Sequence, residues 1–169
     1  MQIRPENITD YPKITLLIEQ AFAKATHRDG NEAQLVEKLR HSQNFIPELS
    51  LVAVSAEQIV GHILFTKVTI ENHQALALAP LAVLPEFQKQ GIGSALIKAG
   101  HIKAQELGYT YSIVLGHPGY YSRFGYRPAS SYDIKAPFTV SDEFFMAAKL
   151  SPNAPVLSGI VHYDEAFGL

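Results

Sequence analysis

The sequence predicts an α/β fold, and three observations carry that reading. Residues 49–54 and 59–70 are rich in β-formers and flank the polar turn Ala56-Glu57-Gln58, the pattern of a hairpin. Residues 74–83 form a third long strand candidate, apolar on both faces as a sheet covered on both sides requires. That strand runs through Leu84-Pro85 into Gln88-Lys89-Gln90-Gly91-Ile92-Gly93-Ser94. Leu96, Ile97, Gly100, Ala104 and Leu107 then recur at helical spacing, and Tyr111–Leu115 is β-like again. Strand, glycine-rich turn, helix and strand in that order make a βαβ unit.

The other elements follow from local signals. Residues 2–4 read as a short first strand. Asp10 is a good N-cap ahead of Pro12, and Ile14, Leu17, Ile18, Ala21 and Phe22 give residues 11–24 the period of an amphipathic helix. A polar break over residues 25–30 precedes a second helix, from about residue 31 to 41, with Leu35, Val36 and Leu39 on one face. The helix after the glycine loop ends at Gly108, a C′ glycine. Residues 116–126 are turn-rich. Beyond them, residues 132–134, 144–149 and 159–163 read as closing strands joined by loops rich in proline and serine. No repeat, low-complexity segment or linker divides the chain, so one domain over residues 1–169 is expected.

Composition narrows the function. With 169 residues, 47% hydrophobic and 18% charged, the chain can bury a substantial core. A net charge of −2 without blocks of like charge lacks the basic stripe of a nucleic-acid binder. The absence of cysteine removes disulfides, cysteine nucleophiles and thiolate metal sites. The 7 histidines include no HExxH or other strong ligand spacing, so no metal is expected. The first residues lack the apolar core of a signal peptide. The longest apolar run, residues 75–84, is broken by Pro80 and too short for a bilayer. A cytoplasmic protein without a membrane partner is expected.

The glycine segment points to an anion. First-turn amides of a helix have no partner within it, the helix dipole adds positive character there, and glycines let backbone approach a phosphate closely. A P-loop would need four residues between its glycines and then Lys and Ser/Thr, which Gly91-Ile92-Gly93-Ser94 lacks. A dinucleotide fingerprint would need a third glycine or alanine where Leu96 stands, and a place near the chain's start. His27-Arg28-Asp29 echoes a kinase catalytic loop, but Gln34 replaces the required asparagine and no Asp-Phe-Gly follows.

Gln88-Lys89-Gln90-Gly91-Ile92-Gly93 instead resembles the Gln/Arg-x-x-Gly-x-Gly/Ala acetyl-CoA loop of the GNAT N-acetyltransferase superfamily. The flanks agree: a strand before, a helix and a strand after, then Tyr121-Ser122-Arg123-Phe124-Gly125-Tyr126 in place of that family's Tyr-x-x-x-Gly-Phe element. The likeness spans roughly residues 1–126, and the wording around Tyr120 and Tyr121 is similar to the YhbS-like branch. It implies the acyl-CoA N-acyltransferase fold: a mixed, mostly antiparallel sheet with helices on both faces and a wedge between two central parallel strands. It implies acetyl-CoA as cosubstrate, with backbone groups of Leu81, Ala82 and Val83 pairing with the pantetheine arm. Gln88, Lys89, Gln90, Gly91, Ile92, Gly93 and Ser94 would wrap the pyrophosphate.

The resemblance also implies chemistry. Tyr121 matches the tyrosine that family members often use to protonate the leaving thiolate, a role suited to a phenol that stays protonated at neutral pH. Tyr120 is adjacent, and a swap of roles stays open. A backbone N–H near residues 81–83 is the expected oxyanion donor. Relatives often carry a basic glutamate on the strand before the loop, but residues 74–83 contain no acid. Glu71 and Glu86 flank that strand, His62, His73 and His117 are candidates by chemistry, and none is named as base. The implied function is acetyl transfer to a primary amine of an unidentified small molecule or protein. The alternatives are a non-catalytic CoA sensor or scaffold and a transferase for another acyl-CoA, such as succinyl-CoA. Homodimers are common in the superfamily, and no residue here decides for one.

Overall fold

The computed structural model describes residues 1–24 and 30–169; the His27-Arg28-Asp29 triplet lies outside them. In chain order the elements are β1 (Gln2–Pro5), α1 (Tyr11–Phe22), α2 (Glu32–Arg40), β2 (Phe45–Ser55), β3 (Gln58–Ile70), β4 (His73–Val83), α3 (Ile92–Glu106), β5 (Tyr111–Leu115) and α4 (Pro118–Tyr121). Short strands β6 (Arg127–Pro128), β7 (Ile134–Lys135), β8 (Phe145–Lys149) and β9 (Gly159–His162) close the chain, with a final 3-10 turn over Glu165–Phe167. The sheet runs β1-β2-β3-β4-β5-β8-β6, and β9 joins the far end of β3 and carries β7. Neighbours are antiparallel except β4 with β5 and β7 with β9.

The β2–β3 hairpin turns on Ala56 and Glu57, at φ 49° and 67°. Two left-handed residues match the right-handed twist of the strands, although neither is the glycine such turns favour. Alternation along β3 places helices on both faces of the sheet, because successive strand residues point to opposite sides. Gly61 faces α3, where a Cβ would stand 2.9 Å from Leu96 and 3.0 Å from Ile92. His62, next in line, faces α2. Its Nε2 lies 3.1 Å from Ser50 Oγ and 3.3 Å from Glu6 Oε1. Arg40 of α2 donates to both Glu6 oxygens, at 2.8 and 3.1 Å, and Ser50 donates to Oε1 at 2.6 Å. Burial alone would raise the Glu6 carboxyl, but hydrogen bonds from His62, Arg40 and Ser50 outweigh it and hold it at about 2.

Residues 132–134 depart from the expected strand. A 3-10 turn covers Ala129–Tyr132, Asp133 sits at φ 58°, and only Ile134–Lys135 pair with β9. Aspartate tolerates the left-handed region, so the chain turns where apolar alternation suggested extension.

Candidate active site

The site grows from one interruption in the sheet. Strands β4 and β5 pair only at Leu76 with Ser112 and Ala77 with Ile113. Beyond that point β4 bulges: Phe65 of β3 faces Leu78 and Ile63 faces Leu81, so Ala79 and Pro80 fill a span that β3 crosses with one residue fewer. Proline has no N–H for a ladder, and a bulge is where a strand tolerates it. The two strands part there, and the gap is a cavity of about 440 Å³ reaching from Ala77 and Ile113 to Tyr121, Phe138 and Phe167.

A second cavity of about 400 Å³ lies beside the glycine loop, lined by Leu81, Val83, Gln88, Lys89, Gly91, Ile92, Gly93 and Ser94 together with Tyr120 and Arg123. Leu81 lines both, so the two spaces meet at the β4 edge. Gly91 is the residue ahead of α3, at φ 85°, a conformation glycine adopts freely. Gly93 is needed for a different reason: a Cβ there would lie 2.6 Å from the Tyr120 hydroxyl. Gln88 Nε2 donates to the Val83 carbonyl at 3.0 Å and ties the loop back to β4. Ile92 is buried beneath the loop. Lys89, Arg123 and the start of α3 make the cavity attractive to an anion. Arg123 is held over the Tyr120 ring, 4.8 Å from its centroid, with Nε donating to the Tyr120 carbonyl at 3.3 Å.

Two residues of the expected set line neither cavity. Ala82 is buried and pairs with His62 of β3, so only its backbone is available at the strand edge. Gln90 is exposed, its amide donating to the Glu86 carbonyl at 3.2 Å.

The two tyrosines divide between the spaces. Tyr120 stands at the glycine loop and Tyr121 lines the wedge. The Tyr121 ring lies against Gly116, where a Cβ would come within 2.3 Å of it, and packs edge-on against Tyr120 and Tyr126 at 5.0 and 5.6 Å. The Tyr126 hydroxyl is occupied by Ser112 at 2.8 Å and His101 at 2.9 Å. Burial, and then the neighbouring Tyr120, push the Tyr121 phenol above its ordinary range. It is therefore a proton donor at neutral pH and no base.

Against this geometry, a family model described as an acetyltransferase (GNAT) domain matches residues 47–128. The chain is 33% identical to the uncharacterized N-acetyltransferase YhbS of Escherichia coli K12, over 99% of this chain and 98% of the relative. The chain belongs to the GNAT acetyltransferase family. A second relative of this acyltransferase, the uncharacterized N-acetyltransferase YjhQ of the same organism, is 37% identical over 77% of this chain and 76% of its own. Among solved structures, E. coli YhbS in complex with CoA superposes with a TM-score of 0.90 at 31% identity, covering 99% of this chain and 92% of that one. A GNAT acetyltransferase of Brucella melitensis in complex with acetyl-CoA gives 0.82 at 32% identity, covering 98% and 97%. The GNAT fold expected from the glycine loop and its flanks is the fold observed.

The base candidates in this GNAT chain lie elsewhere. His62 is fully buried in the Glu6 network. Glu71 and His73 are exposed at the start of β4, the end opposite the wedge, and Glu86 is exposed on the loop. His117 is exposed and stacks edge-on against Phe144 at 5.8 Å. None of the five lines the wedge. Sequence reasoning missed Glu32, Phe22, Phe138, Tyr163 and Phe167, which do. They come from separate segments of the chain, and no local motif in the sequence marked any of them. Among the described residues, no cluster of histidine and carboxylate is placed to hold a metal, and no helix is long and apolar enough to cross a membrane.

Proposed function

We propose that this chain, as one catalytic domain over residues 1–169, transfers an acetyl group from acetyl-CoA directly to a primary amine. The observation that carries the reading is the junction at Leu81 of an anion-attracting loop and a wedge faced by Tyr121. A nucleotide at the loop and an acyl group in the wedge would be joined by an arm about one strand long. The unpaired edge of β4 over residues 81–83 offers such an arm the hydrogen bonds that β5 does not make. The relatives with CoA and acetyl-CoA bound support that donor.

The chemistry assigned to these residues is short. The neutral amine attacks the thioester carbonyl carbon, a β4 backbone N–H steadies the oxyanion, and the carbon–sulfur bond breaks as the carbon–nitrogen bond forms. Tyr121 gives its proton to the departing sulfur and regains one from solvent, while the proton shed by nitrogen passes to water. The desolvation that raises the phenol also raises the thiolate leaving beside it, which keeps that transfer feasible.

Two measurements test the proposal. Saturating acetyl-CoA at about 100 times Kd should stabilise the protein by about 2.7 kcal/mol, and an unchanged melting temperature removes the donor. Tyr121→Phe should lower free-thiol release on amines by about 10²-fold or more with an unchanged Kd for acetyl-CoA. Equal rates in the two proteins take Tyr121 out of the mechanism. An absence of amine-dependent thiol release in the native protein, with binding intact, favours the sensor.

A further inference from the structure

The wedge is larger than an acyl group needs, and its outer wall has a chemistry of its own. Phe138, Tyr163 and Phe167 form a continuous aromatic run, with centroids 6.2 Å apart from Phe138 to Tyr163 and 5.1 Å from Tyr163 to Phe167. Phe22, from the last turn of α1, adds to the same wall. The run is pinned rather than loose. Asp164 accepts from the Ala166 amide and from Asn44 Nδ2, each at 2.8 Å, and Ser42 donates to the same carboxylate. These bonds tie the last turn to the segment following α2. Among the described residues lining this cavity, Glu32 is the sole Asp, Glu, Lys, Arg or His.

We propose that the acceptor is a small primary amine on an apolar, ring-bearing frame, seated with its ring on this aromatic wall and its ammonium beside Glu32. The inference rests on the acetyltransferase reading above and names the substrate class for the same site. Glu32 is half-buried, and a carboxylate at the edge of apolar walls gives one ammonium a partner while the rest of the molecule meets hydrocarbon. Aromatic faces bind a hydrocarbon ring and also favour a nearby ammonium. No second acid lines these walls among the described residues, so each further ammonium of a polyamine or aminoglycoside would be desolvated there without a partner. The volume of about 440 Å³, shared with the acyl end of the donor, leaves room for a small acceptor.

The test uses the full chain with acetyl-CoA and reads free thiol. Phenethylamine is the ring-bearing probe, spermidine and kanamycin the polycations, and glycine the small polar amine. Phenethylamine is expected to exceed the others in kcat/KM by at least about tenfold. Glu32→Gln should raise its KM by about tenfold or more while the Kd for acetyl-CoA and the melting temperature stay unchanged. Inhibition by 2-phenylethanol, the neutral analogue, should be the same in both proteins, which separates recognition of charge from a disturbed α2. Better turnover of spermidine, kanamycin or glycine overturns this inference and leaves the acetyltransferase reading standing. An unchanged KM in Glu32→Gln, or an equal loss for 2-phenylethanol, also overturns it. Acetyl-CoA binding with no turnover of any amine overturns both readings together.

Discussion

Gly93 and Tyr120 show how one missing side chain can serve two partners. The glycine stands where a helix begins, yet its backbone is not left-handed; what excludes a side chain is the Tyr120 hydroxyl, 2.6 Å from where a Cβ would be. Gly93→Ala must therefore push Tyr120 into the loop cavity or displace the first turn of α3. The expected result is a Kd for acetyl-CoA raised about tenfold, equivalent to ~1.4 kcal/mol. Adding Tyr120→Phe should recover most of the loss, because the next Tyr120 atom, Cζ, is 3.8 Å away. Calorimetric titration of the four proteins decides it; an unaltered Kd in the single variant would mean that Tyr120 moves aside freely. The loop residues were legible from sequence because loop chemistry is local: two glycines, one spacing, one strand before and one helix after. The split between Tyr120 and Tyr121 was not, since adjacent residues of a short helix reach different spaces only once Gly116 and Gly93 have fixed where each ring lies.

At the scale of elements, α3 and β3 meet at Gly100. A Cβ there would stand 2.2 Å from Cε2 of the buried Phe65, so helix and strand approach to a distance that only a glycine permits. Gly100→Ala should lower stability by about 1–3 kcal/mol, the usual penalty for overpacking, read as a lower urea midpoint with an unchanged slope. A gain instead would mean that helix propensity outweighs the contact. Periodicity in the sequence marked Gly100 as a buried position without revealing its partner, Phe65, which lies on β3 and is distant in sequence. The aromatic wall was illegible for the same reason. Phe22 and Phe138 share no spacing with the Tyr163–Phe167 pair, and that pair is placed by the Asp164 turn gripping Ser42 and Asn44. Of the base candidates, His62 is lost to burial, because it reads as an ordinary histidine until Glu6 and Arg40 close over it, while Glu71, His73, Glu86 and His117 are exposed but lie outside the wedge.

For the whole molecule, acid stability follows from buried ionisable groups. Burial holds His62 below its ordinary value and His101 down at about 4. The unfolded chain, with histidine near ~6.5, binds more protons than the folded one between those values. That stability is complete above ~6.5 and is lost as pH falls toward 4. Glu6, held at about 2 against ~4.3 unfolded, adds a second loss as pH falls through the carboxylate range. The urea midpoint should be level from pH 7 to 8, decline below ~6.5 and fall again below ~4.3. His101→Gln should flatten part of the first decline and spare the second; an identical profile would assign the first decline elsewhere.

The β4–β5 ladder, only two residue pairs long, has a bearing on turnover. On the proposed reading, a donor is held by the loop and by the β4 edge, and the reaction changes neither the nucleotide nor the arm that they grip. Losing its acetyl group leaves the spent CoA with the same nucleotide, the same arm and the same strand edge to lie against. Product and donor then differ in grip by little more than two carbons and an oxygen. CoA should therefore inhibit competitively against acetyl-CoA, with a Kd close to that of the donor.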